Sequence, residues 1–277
     1  MGTGSVRGVM PSVLEALEVV RCRDGTWTAP ALGPSGKRAY GGQTCAQAVV
    51  AAAQSVPPGH VLRNVHAQYL RAGDAGTPLR YSVEDVHTGR SASTRRVVGQ
   101  QDGRSMVAVS VSFAVPAPGL EHGDVTLRHS ADDLPVTGPP GPALALPPDA
   151  FAIRIADDGA GEAFVRRMWW RYLLDPPADP LLHWGIAIFI SDLYVMEVAA
   201  MAHGIGITDR TVRRATTDWA LWFHRPVRVD AWNLLELTSP AASSGRGIVS
   251  GTLVDADGAV LATSVQEGLL AHREPSA

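Results

Sequence analysis

The chain has 277 residues, 45% of them hydrophobic and 18% charged, with a formal net charge of -3. Such a composition is globular, and a chain of this length buries roughly 70–75% of its unfolded surface, so neither a disulfide nor a metal is required to hold a core. No long block of like charges occurs, which argues against a dedicated nucleic-acid surface, because phosphate neutralisation needs clustered Lys and Arg. Cys22 and Cys45 are too few for a disulfide framework or a Cys-based zinc site and suit a reducing compartment. Met1 to Pro11 holds no apolar core of signal-peptide length, and Glu274-Pro275-Ser276-Ala277 is not a Ser-Lys-Leu type of address. The expected location is therefore the cytoplasm.

In chain order, Val13, Leu14, Leu17 and Val20 lie at helical spacing behind a capping Ser12. The turn Tyr40-Gly41-Gly42-Gln43 opens a second helical run, Thr44 to Ser55, which Pro57-Pro58-Gly59 ends. Strands are expected over 61–70, 79–86, 93–100 and 105–114. In the last, Val107, Val109, Val111 and Phe113 alternate with small residues, and Asp102-Gly103 supplies the preceding hairpin turn. Residues 115–149, rich in Pro and Gly, read as a linker between halves 1–114 and 150–277.

The second half repeats the order. Strand-like stretches near 151–155 and 168–173 precede one long helix from about Pro180 to Ala202, with His203-Gly204 as its C-cap. Strands follow over 217–223, 231–238, 247–254 and 259–266, and Asp257-Gly258 is expected to form the same turn as Asp102-Gly103. The run from Trp184 to Ala202 is apolar enough to be mistaken for a membrane span. Asp192 and Glu197 interrupt it, and mid-span charges are costly in lipid, so a helix buried by a curved sheet is expected instead. Helix-on-sheet halves repeated in one chain define an α+β class by duplication.

Several segments together resemble the acyl-CoA thioesterase II (TesB-like) family. These are Gly41-Gly42-Gln43, Tyr69-Leu70-Arg71-Ala72-Gly73-Asp74, the stretch Ser91 to Val97, Ser191-Asp192-Leu193, His203-Gly204-Ile205-Gly206, Trp222-Phe223-His224-Arg225-Pro226, Ser243-Ser244-Gly245-Arg246-Gly247 and the final Thr263 to Gly268. The resemblance implies a tandem double hotdog, each half a long central helix wrapped by a curved antiparallel sheet. It also implies hydrolysis of an acyl-CoA thioester and catalytic roles for Asp192, Thr216 and Gln266, with no cofactor. Tyr40 stands where Phe is more usual, and Met168-Trp169-Trp170-Arg171 matches only loosely.

The residue types suit the reaction. A thioester expels a thiolate, whose parent thiol has a pKa of about 8.5, so the task reduces to activating water, aligning it and stabilising the oxyanion. Asp192 is the expected base, with Thr216 and Gln266 holding the water and a helix N-terminus as the oxyanion donor. Aligning the halves at fixed offsets pairs Asp192 with Gly42, Thr216 with His66 and Gln266 with Val111, which implies one site per chain. Gly41, Gly42 and His66 are further candidates, and Arg71, Arg95, Arg225 and Arg246 are candidates for the coenzyme A phosphates. His224 and Cys45 are weaker catalytic candidates, and Trp169-Trp170 reads as core or interface. The alternatives are a hotdog hydratase or dehydratase, for which no histidine follows Gly73-Asp74 in the required pattern, and a non-catalytic acyl-binding module. Edge-to-edge pairing of the halves within one chain leaves homo-oligomer formation open.

Overall fold

The computed structural model describes residues 12–33, 35–135, 146, 149–176 and 178–273. The expectations for Met1 to Pro11, for the Pro/Gly runs 138–142 and 147–148, and for the last four residues lie outside the described residues.

Helix α1 (Val13–Ala16) is a single turn whose capping box joins Ser12 and Glu15. Val20, expected on that helix, instead belongs to the short strand β1 (Val20–Arg21), which pairs with β2 (Trp27–Ala29). Helix α2 (Gly41–Ala53) follows, then β3 (Val61–Tyr69), β4 (Leu79–Thr88), β5 (Ala92–Gln101) and β6 (Arg104–Ala114). The second half runs β7 (Phe151–Asp158), β8 (Val165–Tyr172), α3 (Pro180–Ser191), α4 (Val195–Met201), β9 (Val212–Phe223), β10 (Asn233–Ser243), β11 (Arg246–Asp255) and β12 (Val260–His272).

Among the described residues, twelve strands form one antiparallel sheet in the order β1-β2-β4-β5-β6-β3-β9-β12-β11-β10-β8-β7. The order reads the same from either end once the halves are matched, with β3 paired to β9 at the centre. Helix α2 packs on β3 to β6 and α4 on β9 to β12. This is the tandem double hotdog that the sequence implied. The seam carries part of the core: Val65 pairs with Leu221 and Ala67 with Trp219, and all four are buried.

Two local expectations change. The long second-half helix is broken: α3 ends at Ser191, Asp192 is its C-cap, and Tyr194 adopts φ 56 before α4 begins. A side chain with a Cβ seldom takes this conformation, so sequence periodicity carries straight through the break. Pro180–Met201 as a whole is long and apolar enough to cross a membrane by composition, and 72% of its most apolar window is buried inside the protein. Gly204 caps the end as expected, with Ile205 N–H donating to Ala200 O and Gly204 N–H to Met201 O.

The second change concerns the turns. Asp102-Gly103 has both residues at positive φ, 48 and 72, as a two-residue type I′ hairpin requires. At Asp257-Gly258 only the glycine is positive, and the Asp255 carboxylate accepts from the N–H groups of Asp257 and Ala259 in a longer loop. The tight turn of the second half is Ser244-Gly245, at φ 50 and 72.

Because the β3–β9 seam is, among the described residues, the one sheet contact joining the two sets of strands, thinning it should loosen the whole molecule. Leu221→Ala is expected to cost about 2–5 kcal/mol in unfolding free energy, the usual range for a large core truncation. Chemical denaturation should show one transition shifted to lower denaturant; an unshifted midpoint would contradict the seam's role.

Candidate active site

The N-terminus of α2 is the starting point. Its N-cap, Tyr40, makes no side-chain capping bond, so the first N–H groups of the helix need partners from elsewhere. One comes from the other half: Asp192 Oδ2 accepts from Gly42 N–H at 2.8 Å. The carboxylate thereby caps a helix 150 residues away in sequence and sits in the positive field of its N-terminus. The approach demands glycine. A Cβ on Gly41 would stand 2.7 Å from Asp192 Oδ2, and one on Gly42 would stand 2.5 Å from Phe189 O and 3.0 Å from Asp192 Cβ.

Gln266 completes the arrangement. Its side-chain amide N–H donates to Asp192 Oδ1 at 2.7 Å and also to Thr216 Oγ1. Gln266 is 1% exposed, and its Oε1 is buried without a partner. The three residues named from the sequence thus meet at one point, supplied by the α3–α4 break, β9 and β12.

A β-bulge brings Thr216 there. Gln266 pairs with Trp219 and Glu267 with Asp218, but Gly268 pairs with Thr216, so one residue of β9 is skipped. The bulge resets the alternation and puts Thr216 on the inner face with Gln266. The first half has the matching irregularity: Val111 pairs with Val65, Ser112 with Asn64 and Phe113 with Leu62. Strand pairing therefore matches Thr216 to Leu62, which is buried, and not to His66. The positions matching the trio in the first half are Gly42, Leu62 and Val111, with no polar side chain among them.

The site opens into a cleft of about 390 Å³ between the halves. Tyr69 and Met106 line its first-half wall, and Tyr194, Met196, Glu197 and Arg214 its second-half wall. Burial pushes the Asp192 carboxyl up to about 6, outweighing the stabilising hydrogen bonds from Gln266 and Gly42, and the Glu197 carboxylate raises it further. Glu197 is itself raised by burial, partly offset by Arg214, Arg166 and Arg210. Tyr40, unusual at its position, donates its hydroxyl to Phe189 O at 2.6 Å and meets that ring edge-on. Tyr69 donates to Gly41 O at 3.0 Å. Tyr40 braces the α2 start against the α3 end, and Tyr69 braces it against β3.

The other candidates are distributed as follows. Gly41 and Arg71 line the cleft. His66 lies on the outer face, 2.8 Å from Asp218. Arg95 is 1% exposed and donates to Ser55 O, Thr88 Oγ1, His87 O and Asp85, which ties β4 and β5 to the end of α2. Arg225 donates to Gly123 O, His122 O and Val260 O, fastening the segment after β6 to β12. Arg246 donates to Thr217 Oγ1 and Glu267. Those four do not line the cleft. His224 meets Thr263. Cys45 is fully buried, and burial drives its thiol far above the ordinary range, so it is no nucleophile. Trp169 and Trp170 are both core. Sequence reasoning missed Lys37, Arg38, Glu197 and Arg214 on the cleft walls. Only Glu197 carried a signal, as a charge inside an apolar run.

A carboxylate, an amide and a hydroxyl converging where two hotdog halves meet place the chain among the double-hotdog proteins. Residues 28–114 match the acyl-CoA thioesterase N-terminal domain family and residues 126–270 the C-terminal domain family. Acyl-CoA thioesterase 2 of Haemophilus influenzae is 30% identical over 258 residues, 86% of this chain and 89% of that protein. Among solved structures, acyl-CoA thioesterase II TesB2 of Mycobacterium marinum is 28% identical with a TM-score of 0.81, covering 95% of this chain and 99% of that one. A TesB protein of Mycobacterium avium subsp. paratuberculosis is 26% identical with a TM-score of 0.81, covering 94% and 98%. The chain belongs to the acyl-CoA thioesterase II (TesB-like) family of thioester hydrolases.

Two outcomes follow from the geometry. Gly42→Ala is expected to push α2 and Asp192 apart and to reduce turnover by at least about tenfold, since misplacement near 1 Å costs that much or more; a steady-state assay of a variant with a native-like circular dichroism spectrum checks it. The second concerns stability. The folded pKa of Asp192 lies above the unfolded value of 3.8, so the native state loses stability as pH rises from about 4 to about 6, by about 3 kcal/mol in all. Asp192→Asn escapes that loss. Its stability relative to the native chain should climb over the same pH window and level off above it, and a pH-independent difference would contradict a buried carboxyl.

Proposed function

We propose that this protein hydrolyses fatty acyl-CoA to free acid and coenzyme A, using water held by Asp192, Thr216 and Gln266. The supporting observation is the Asp192 carboxylate, fixed by Gly42 N–H and the Gln266 amide, beside a buried Gln266 Oε1 that has no partner in the protein. That oxygen is an acceptor for one hydrogen of a water whose other hydrogen goes to Asp192. Asp192 removes the proton as the water oxygen attacks the thioester carbonyl carbon. The carbonyl π electrons move to oxygen, and the first-turn N–H groups of α2 not used by Asp192 are the donors for that oxyanion. Collapse breaks the C–S bond, and the thiolate takes up the proton from Asp192.

A carboxyl raised to about 6 is a better base than an ordinary aspartate and is still mostly ionised at neutral pH. Hydration or dehydration calls for a histidine partner, and none of the described residues lining the cleft is a histidine. The same reading divides the chain into residues 1–114, a connecting segment 115–149 and residues 150–277 that carry the trio. Two unpaired cysteines fit a cytoplasmic enzyme.

Thiol release from a panel of short, medium and long acyl-CoAs tests the proposal. Asp192→Asn should lower kcat by at least about 100-fold, the usual contribution of a positioned base, and full turnover in that variant would overturn the assignment. In the native enzyme kcat/KM should fall tenfold per pH unit below about 6, because only the ionised carboxylate accepts the proton. Asp192→Asn should lose that limb.

A further inference from the structure

We propose that Lys37, Arg38 and Arg71 form a subsite for the phosphate groups of the substrate's thiol carrier, on the first-half rim of the cleft; this rests on the thioesterase reading. Lys37 is the only lysine in the chain. It lines the cleft with Arg38 and Arg71, and all three are exposed. Among the described residues, none of the three has a carboxylate within ion-pair distance, and the charge of Arg38 reaches into the cleft as far as Asp192, whose pKa it draws down. In a chain of net charge -3, unpaired cations gathered on the wall of one cleft make an anion-attracting rim.

The rim stands on a built platform. Residues 33 and 35–39 are laced to 73–77: Ala39 N–H donates to Gly73 O, Ala75 N–H to Lys37 O and Gly33 N–H to Ala75 O. The Asp74 carboxylate, the acid closest in sequence to Arg71, is occupied by the N–H groups of Gly36 and Gly76 and the Thr77 hydroxyl. Gln101, 7% exposed, holds the Asp74 backbone from below through both its amide atoms. A Cβ on Gly76 would stand 2.5 Å from Ser35 N, so the two segments are in direct contact. Arg71 spends one N–H on Ser105 O at 3.0 Å, which fixes its guanidinium and leaves other donors open. Across the cleft, Arg214 donates to the carbonyls of Gly206 and Asp209 and faces Glu197, so it is not part of this subsite.

Phosphate is a chemistry shared by coenzyme A and by the phosphopantetheine arm of a carrier protein, and the test separates them. Calorimetric titration of the native chain, of a Lys37→Ala/Arg38→Ala variant and of Arg71→Ala would use coenzyme A, 4′-phosphopantetheine and pantetheine, each at low and raised salt. Affinity for coenzyme A should fall about tenfold per cation removed and fall with salt in the native chain. Discrimination between coenzyme A and pantetheine should shrink accordingly. An equal loss for 4′-phosphopantetheine would assign the rim to the phosphate common to both carriers, and a loss confined to coenzyme A would assign it to the nucleotide phosphates; either supports the subsite. Unchanged coenzyme A affinity in both variants, or an equal loss for pantetheine, would overturn it. Cation-dependent binding of coenzyme A without any thiol release would sink the hydrolase reading alone.

Discussion

The contact between Gly42 N–H and the Asp192 carboxylate is the constraint around which the rest is arranged. It joins the start of one central helix to the break in the other, closer than any residue with a Cβ permits. The helix without a cap of its own receives one from the opposite half, and the carboxylate receives a fixed direction. Burial raises the carboxyl even though two hydrogen bonds and the charge of Arg38 hold it down. The balance leaves a carboxyl whose pKa is raised to about 6.

The matching β-bulges show how one half gained polar groups that the other lacks. In both halves a skipped residue turns one strand position inward beside the next strand. In β9 that position is Thr216, beside Gln266. In β3 it is Leu62, beside Val111, and both are buried apolar side chains. The backbone device is common to the two halves, and only the side chains it presents differ.

Much of the fold was legible because it rests on period and punctuation. The alternation through Val107, Val109, Val111 and Phe113, the Asp102-Gly103 turn and the apolar runs placed most strands to within a few residues. The trio was reachable through motif resemblance, and in the structure its three side chains are hydrogen-bonded together. What escaped has physical reasons. The break at Tyr194 needs a left-handed residue in a run whose composition is helical throughout. Thr216 lies four residues further from Asp192 than Leu62 lies from Gly42, and no composition change marks those extra residues, so the helix offset carried into the strand set Thr216 against His66 instead of Leu62. Arg95, Arg225 and Arg246 fit phosphate chemistry by type, but carbonyls, hydroxyls and carboxylates of the protein itself claim them, and no one-dimensional pattern records that. Lys37 and Arg38 belong to no periodic element, and only the pairing of their loop with residues 73–77 puts them on the cleft.

Among the described residues the twelve strands form one sheet with two ends. At one end β1 and β2 cover only Leu79–Tyr81 of β4, and the rest of that strand carries Glu84 and Asp85, bound to Arg96 and Arg95; the other end is β7, where Asp157 is bound to Arg166 and Asp158 to Arg128. Strands this charged are poor templates for an incoming strand. Fusing the halves thus also works as protection against misassembly: the hydrogen-bonding rim that each half alone would offer at β3 or β9 is used up within the chain.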